Sequence, residues 1–455
     1  MVSFIKTFKI QNLFGYKDVE MSFEDSYKII VGENGTGKTT ILNCLYYTLS
    51  KRFELLSNIR FDSITINFTK NRKIEFTKKE VDAYNEKEKE FQHSQFYRLL
   101  SSKIKEKNIK RFSEIVYSSA DTIEKSSLVT EELQNIGFKF SSSYDYLYKN
   151  IVRLVHEYMS IEFSNKLDIL DTVFQSEIVY FPTYRRVESG FVGWNNMLNK
   201  VQEKYPFLDF DRKEVLDEFH SEMIQFGMED VKDKIKSLTS QIYKKTMEGF
   251  TSIMASMLSQ LSNNITQENK EYKFEDNKIG IILDRLGDRI KEDDKKSIKE
   301  YALSKKLNNS NLNYLIGKLI KLYENQKDID LAIKKFIETC NHYLMDKQFV
   351  YNESSIDVYV EISKTKERLD LEYLSSGEKQ IVSLFARLYL GINEKLIILL
   401  DEPELSLSIM WQERLLVDVK KSNKCDFLLA VTHSPFIYDN EMKDFAYSLS
   451  DYTKM

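Results

Sequence analysis

Residues 3–10 and 18–24 alternate apolar and polar side chains, the period of half-buried strands. Tyr27-Lys-Ile-Ile-Val31 then runs directly into a glycine-rich stretch, after which Ile41, Leu45 and Leu49 recur at helical spacing. This order predicts a strand, a loop and a helix in succession. ITINF (64–68) and KIEFTK (73–78) read as a hairpin, and charged helical sequence follows through residue 175. SEIVYFP (176–182) is a short strand closed by a proline, which has no N–H to continue a ladder.

From Lys213 to Leu261 apolar residues recur at threes and fours: Phe219, Met223, Phe226, Val231, Ile235, Leu238, Ile242. As one helix this span would be about 70 Å long. A polar stretch (262–278) interrupts it, and a second helical region over 288–345 carries Leu312, Leu315, Ile316, Leu319, Tyr323, Phe336 and Ile337 on its apolar face. Two long helices around a polar tip predict an antiparallel arm. An irregular bundle is the alternative, because the heptads drift.

Strand patterns return at KQFVYN (347–352), SIDVYVEI (355–362) and RLDLEYL (368–374). Ile381, Leu384, Phe385, Leu388 and Tyr389 mark a helix, while LIILL (396–400) and FLLAV (427–431) read as strands buried on both faces. The pattern predicts an α/β fold whose head is split into two lobes, residues 1–80 and 346–455. Between them lies a large, mostly helical, coiled-coil-like insertion (81–345), with the strand and loop near 176–188 returning to the head.

A length of 455 residues exceeds the roughly 250–300 at which single cores stop growing, in keeping with several sub-structures. A net charge of −4 provides no global basic field for nucleic acid. The run KIKEKNIKR (103–111) is basic enough for a phosphate backbone, although such runs are usually a solvated helix face. Cys44, Cys340 and Cys425 are far apart and unpatterned, which points to a reducing cytoplasm with neither a disulfide frame nor a zinc site. The first residues lack the apolar core of a signal peptide, and no run reaches membrane-spanning length. A cytoplasmic protein without membrane partners is expected.

Gly32-Glu-Asn-Gly-Thr-Gly-Lys38-Thr39 fits the phosphate-cradling pattern G-x-x-x-x-G-K-[ST] in the required strand–loop–helix context. Backbone N–H groups of Asn34, Gly35, Thr36 and Gly37 can turn inward, with the helix terminus adding partial positive charge. Lys38 is expected to neutralise β- and γ-phosphate oxygens, Thr39 to ligate Mg²⁺, and Thr40 to reach the α-phosphate. The strand LIILL delivers Asp401, expected at the metal, and Glu402, expected to orient or deprotonate the attacking water. His433, just past the next buried strand, is placed to sense the γ-phosphate.

The same set continues with LSSGEKQ (374–380), a second helix mouth suited to phosphate, 337 positions beyond Lys38. In this order the motifs resemble the ABC ATPase superfamily, with LSSGE standing where that family has its signature loop. Ser376 replaces the signature's first glycine and Glu378 its glutamine. The resemblance implies that Ser375, Gly377 and Glu378 complete the ATP site of an opposing copy, hence a head-to-head homodimer or higher oligomer around ATP and Mg²⁺. No counterpart of the family's Q-loop glutamine is found.

A helical insertion between lobes is similar to that of SMC-, RecF- and OLD-type ATPases. DEPELSLS (401–408) resembles the OLD pattern, but Ser408 stands where OLD proteins have histidine, and the 22 residues after His433 lead us to expect no appended nuclease. YFPTYRRVE (180–188), LSSGEKQIVSLFARLYL (374–390), DEPELSLSIMWQ (401–412) and THSPFIYDN (432–440) are most similar to the AriA ATPases of PARIS anti-phage systems, with the PtuA ATPases of Septu systems second. That resemblance implies a regulatory ATPase that holds a separate toxin-like TOPRIM nuclease until a phage-encoded trigger releases it. A DNA repair or clamping ATPase of RecF or SMC type is the alternative, with DNA as partner. Arg185 and Arg186 could serve as fingers at the nucleotide, or as readily pair with Glu188.

Overall fold

The computed structural model describes residues 3–69, 71–93, 161–173, 176–182, 228–262, 276–303, 309–391 and 395–454. The basic run 103–111, Arg185, Arg186, Phe219, Met223 and Phe226 lie outside the described residues. The chain divides into two compact units: Met1–Arg186 with Lys395–Glu404 and Asp426–Met455, and Val187–Glu394 with Leu405–Cys425. These cut across the three contiguous segments drawn from the sequence. The reason is strand pairing, since three C-terminal strands join a sheet begun by residues 27–31.

The first unit holds two five-stranded sheets. One is antiparallel where β1 (Ile5–Leu13) meets β2 (Lys17–Ser22) and β4 (Ser63–Phe68), and β4 meets β5 (Lys73–Thr77). The other has the order β12-β3-β11-β10-β6, with β3 (Tyr27–Val31), β6 (Glu177–Phe181), β10 (Leu396–Asp401), β11 (Cys425–Thr432) and β12 (Ala446–Ser448). β6 runs parallel to β10, and β3 runs parallel to both β11 and β12. Every residue of β10 is buried, as its uninterrupted apolar sequence predicts.

Helix α1 (Lys38–Leu49) follows β3 and buries Ile41, Leu42, Leu45 and Leu49 in the core shared by both sheets. Short α2 (Phe53–Leu56), α3 (Lys78–His93) and α4 (Ile161–Val173) complete the described helices of this unit. Phe53, Phe76, Tyr84 and Phe163 form an edge-to-face and stacked aromatic cluster, the geometry that ring quadrupoles favour.

The second unit is mostly helical. Helix α5 (Glu229–Ser262) is long; α6 (Asp276–Arg285) forms ahead of the expected second arm helix, and that helix is three shorter ones: α7 (Glu292–Leu303), α8 (Ser310–Glu324) and α9 (Lys327–Asn341). Gly287, at φ +59°, turns the chain after α6, and Asn325–Gln326 separates α8 from α9. A continuous apolar face read from the sequence is thus spread over several helices. Ile253, Ile282, Leu283, Ile316 and Leu319 bring α5, α6 and α8 into one core. Strands β7 (Lys347–Asn352), β8 (Asp357–Ile362) and two-residue β9 (Arg368–Leu369) form a small antiparallel sheet. RLDLEYL is therefore mostly not strand, because Leu371–Tyr373 turns into a 3₁₀ helix. The signature helix α10 (Ser376–Leu390) packs on α5 and α9, and α11 (Ile409–Lys421) closes the unit.

A buried polar knot fixes the bends. Arg285 donates to Gln326 Oε1 (2.6 Å), to Asp330 Oδ1 (2.7 Å) and to the Glu353 carbonyl (2.9 Å), while Gln326 also bonds Thr246. Breaking a buried pair from one side strands a charge. Asp330→Ala is expected to lower the stability of this unit by about 3–5 kcal/mol in urea denaturation followed by circular dichroism. A loss below about 1 kcal/mol, the scale of an exposed pair, would remove the knot from the fold's support.

Candidate functional site

The loop from Gly32 to Gly37 leaves β3 and enters α1. Gly35 and Gly37 adopt φ +81° and +92°, a region that L side chains rarely enter, so these two glycines are required by the backbone. Helix α1 has no side-chain cap and no acidic residue in its first turn, which leaves its N–H groups and positive end available to an anion. Asn34 and Gly35 are exposed at the tip, and Thr39 and Thr40 are half-buried in the first turn. Thr36 Oγ1 donates to the Glu33 carbonyl at 2.8 Å, tightening the loop. Lys38 is buried; its ammonium donates to the carbonyls of Gly32 (2.7 Å) and Glu33 (3.0 Å) and lies 3.4 Å from Glu402 Oε1.

Parallel pairing sets β11 against β3 with Val31 opposite Thr432, so Gly32 and His433 leave the sheet side by side. Asp401 closes β10, where its Oδ1 accepts the Thr39 hydroxyl at 2.8 Å. Glu402 follows at φ +49°, unusual for a residue with a side chain, and its N–H donates to the Val431 carbonyl (2.9 Å). Such strained positions cluster at functional sites. The Glu402 carboxylate bonds His433 Nδ1. Burial opposes ionisation of Glu402, but hydrogen bonds from Glu404 and His433, with the charge of Lys38, outweigh it and hold the carboxyl below its ordinary range.

Glu404 was not singled out by the sequence, yet it organises the far side of this cluster. Its Oε1 accepts from Thr432 Oγ1 (2.6 Å), His433 N (3.0 Å) and Ser434 N (3.1 Å). Burial pushes its carboxyl up, the opposite direction from that of Glu402, so of the two carboxyls Glu402 ionises first. The signal available in the sequence was a second glutamate just past the strand, a short step from the first.

Ser375, Gly377 and Glu378 belong to the second unit and make their contacts there. Ser375 and Glu378 form a reciprocal capping box: the Ser375 hydroxyl accepts from Glu378 N, and the Glu378 carboxylate accepts from Ser375 N at 2.7 Å. Lys347 donates to both Glu378 oxygens, at 3.0 and 2.8 Å. Gly377 lies so close to the loop after β10 that a Cβ there would stand 2.3 Å from the Ser406 carbonyl. The S-x-x-E spacing could have shown the capping role beforehand.

The chain matches the model of the AAA ATPase domain over residues 4–438. It belongs to that family. The expected α/β P-loop ATPase head with a mostly helical insertion is therefore borne out, and nucleotide binding comes with the family. The DNA replication and repair protein RecF of Bacillus cytotoxicus is 35% identical over 57 residues, 12% of this chain and 15% of that protein. RecF of Bacillus thuringiensis gives the same figures. The match thus spans less than a sixth of the curated relatives' length. Among solved structures, the Smc head domain with an extended coiled coil, bound to the C-terminal domain of ScpA from Pyrococcus furiosus, is 12% identical over 96% of this chain and 91% of that one, with TM-score 0.33. At that score the superposition is too loose to fix anything about this chain's assembly. Among the described residues, no helix is long and apolar enough to cross a membrane.

The residues fit a bound nucleotide and a hard divalent cation. The uncapped end of α1 offers N–H donors to phosphate, and the paired Thr39 hydroxyl and Asp401 carboxylate are both oxygen donors of the kind Mg²⁺ takes.

At the signature helix, burial opposes ionisation of Glu378, but the Lys347 and Ser375 hydrogen bonds outweigh it and hold its carboxyl below the ordinary 4.5. A depressed folded value stabilises above the unfolded value, and that stabilisation is lost as pH falls through the folded one. Glu378→Gln is expected to destabilise by about 1–2 kcal/mol at pH 7, with the gap to the parent closing in denaturation series taken below pH 4.5. A gap independent of pH would show that ionised Glu378 contributes nothing to the cap.

Proposed function

We propose that the chain binds ATP with Mg²⁺ and hydrolyses it, using the closed state to control a partner. The observation that carries this is the Thr39–Asp401 hydrogen bond, flanked by Lys38 at the mouth of α1 and by Glu402 just past β10. Lys38 now faces neutral carbonyls, which triphosphate oxygens would replace. Thr39 and Asp401 would hold the cation, whose bound charge offsets that of the β- and γ-phosphates. Glu402, held ionised at neutral pH, is an acceptor for a proton of the attacking water. His433 keeps that carboxylate oriented, and Glu404 fixes the loop that carries His433.

Ser375 and Gly377 would meet the γ-phosphate of a second copy. The Ser375 hydroxyl accepts a bond within its cap and keeps its own O–H to donate. Two readings of the partner follow from different support. The AriA-like stretches favour a regulatory subunit that holds a toxin-like TOPRIM nuclease and releases it on meeting a phage protein. The RecF match favours a DNA repair or clamping ATPase.

Glu402→Gln should keep ATP affinity while turnover falls by about a hundredfold or more, the scale of a lost general base. Turnover at the parent rate would refute the role given to Glu402. The same variant, purified with ATP, Mg²⁺ and its flanking genes' products, separates the two partner readings. A stoichiometric small protein in the complex supports the effector-holding subunit. Nuclease-sensitive DNA in the complex, released by salt, together with ATP turnover by the parent that DNA stimulates, supports the clamp.

A further inference from the structure

Lys17 opens β2, directly after the Phe14–Tyr16 turn, and the residue is only 6% exposed. Among the described residues its ammonium makes one hydrogen bond, to the Thr36 carbonyl at 2.8 Å, and no ion pair with a carboxylate. An ammonium has three donors, and burying it beside a single neutral acceptor is unfavourable for stability alone, so the placement calls for another reason.

The bond also fixes a direction. The Thr36–Gly37 peptide is trans and planar, so its carbonyl and the Gly37 N–H point opposite ways. With the carbonyl drawn toward β2, the Gly37 N–H faces away from β2. Glycine at φ +92° is what permits this peptide orientation at the mouth of α1. The ammonium also polarises the amide, which strengthens its N–H as a donor.

We propose that Lys17 is a positioning residue of the phosphate cradle, holding the Thr36 carbonyl back so that the Gly37 N–H is presented to a bound phosphate. This rests on the ATP-binding reading above and extends it to a strand outside the glycine loop. A tether that merely stabilised the turn would make a different prediction. Removing it would lower the stability of the nucleotide-free chain, whereas removing an uncompensated buried charge does not.

The test compares full-length parent, Lys17→Met, Lys17→Arg and Lys38→Ala, each titrated with Mg-ATP and with inorganic tripolyphosphate by calorimetry, and melted without ligand. Lys17→Met is expected to melt no lower than the parent, yet to bind both ligands roughly tenfold more weakly, as for loss of one charge-assisted bond. Lys17→Arg should restore most of the affinity. Unchanged affinity in Lys17→Met would overturn the inference, as would a fall in ligand-free melting temperature without a change in binding. In either case a parent that binds ATP beside a Lys38→Ala that does not leaves the ATP-site reading standing. A parent that binds neither ligand would sink both.

Discussion

The site depends on the parallel register of β3 against β11. With Val31 opposite Thr432, a loop from the start of the chain and a histidine from near its end leave the sheet as neighbours. β10, next to β11, contributes Asp401 and Glu402 at the same edge. A shift of one residue would turn the side chains of these strands to the opposite faces. A slip would also draw the polar groups that follow these strands into a buried sheet, since all of β10 is covered, as are all but one of the eight residues of β11. Apolar burial in the sheet thereby sets the placement of four polar groups.

Around that register, charge is arranged with little redundancy. Lys38 and Glu402 face one another without a tight ion pair, each mainly engaged elsewhere, Lys38 with loop carbonyls and Glu402 with His433 and Glu404. The strained φ of Glu402 and the buried Glu404 are features that stability alone does not favour. They become intelligible when Glu402 must stay ionised and aimed. Lys17, buried against the Thr36 carbonyl of the glycine loop, has the same character.

The second unit solves a different problem. Its signature helix starts with a complete capping box, and the box is itself clamped by Lys347. Gly377 is held against the Ser406 carbonyl so closely that only hydrogen fits. Loop and helix mouth therefore move together, if they move at all. Capping box, clamp and close approach together fix the conformation of this helix mouth.

The glycine loop, the apolar strands LIILL and FLLAV, and the acids and histidine that follow them were legible in the sequence, because local pattern alone dictates a buried strand and a loop of positive-φ glycines. The strands of residues 5–22 and the hairpin of residues 63–77 were legible for the same reason. What the sequence left open depended on contacts between distant segments. The expected second arm helix broke into three, with α6 ahead of it, because Gly287 and the buried Arg285–Gln326–Asp330 knot answer to packing, which periodicity does not register. Glu404 and Lys17 went unseen because their partners, Thr432 to Ser434 and Thr36, are remote in the chain or lie across a turn. Residue type and spacing determined which groups this chain has for phosphate chemistry. Only tertiary structure decided which of them are buried, and burial decides which carry charge and where it points.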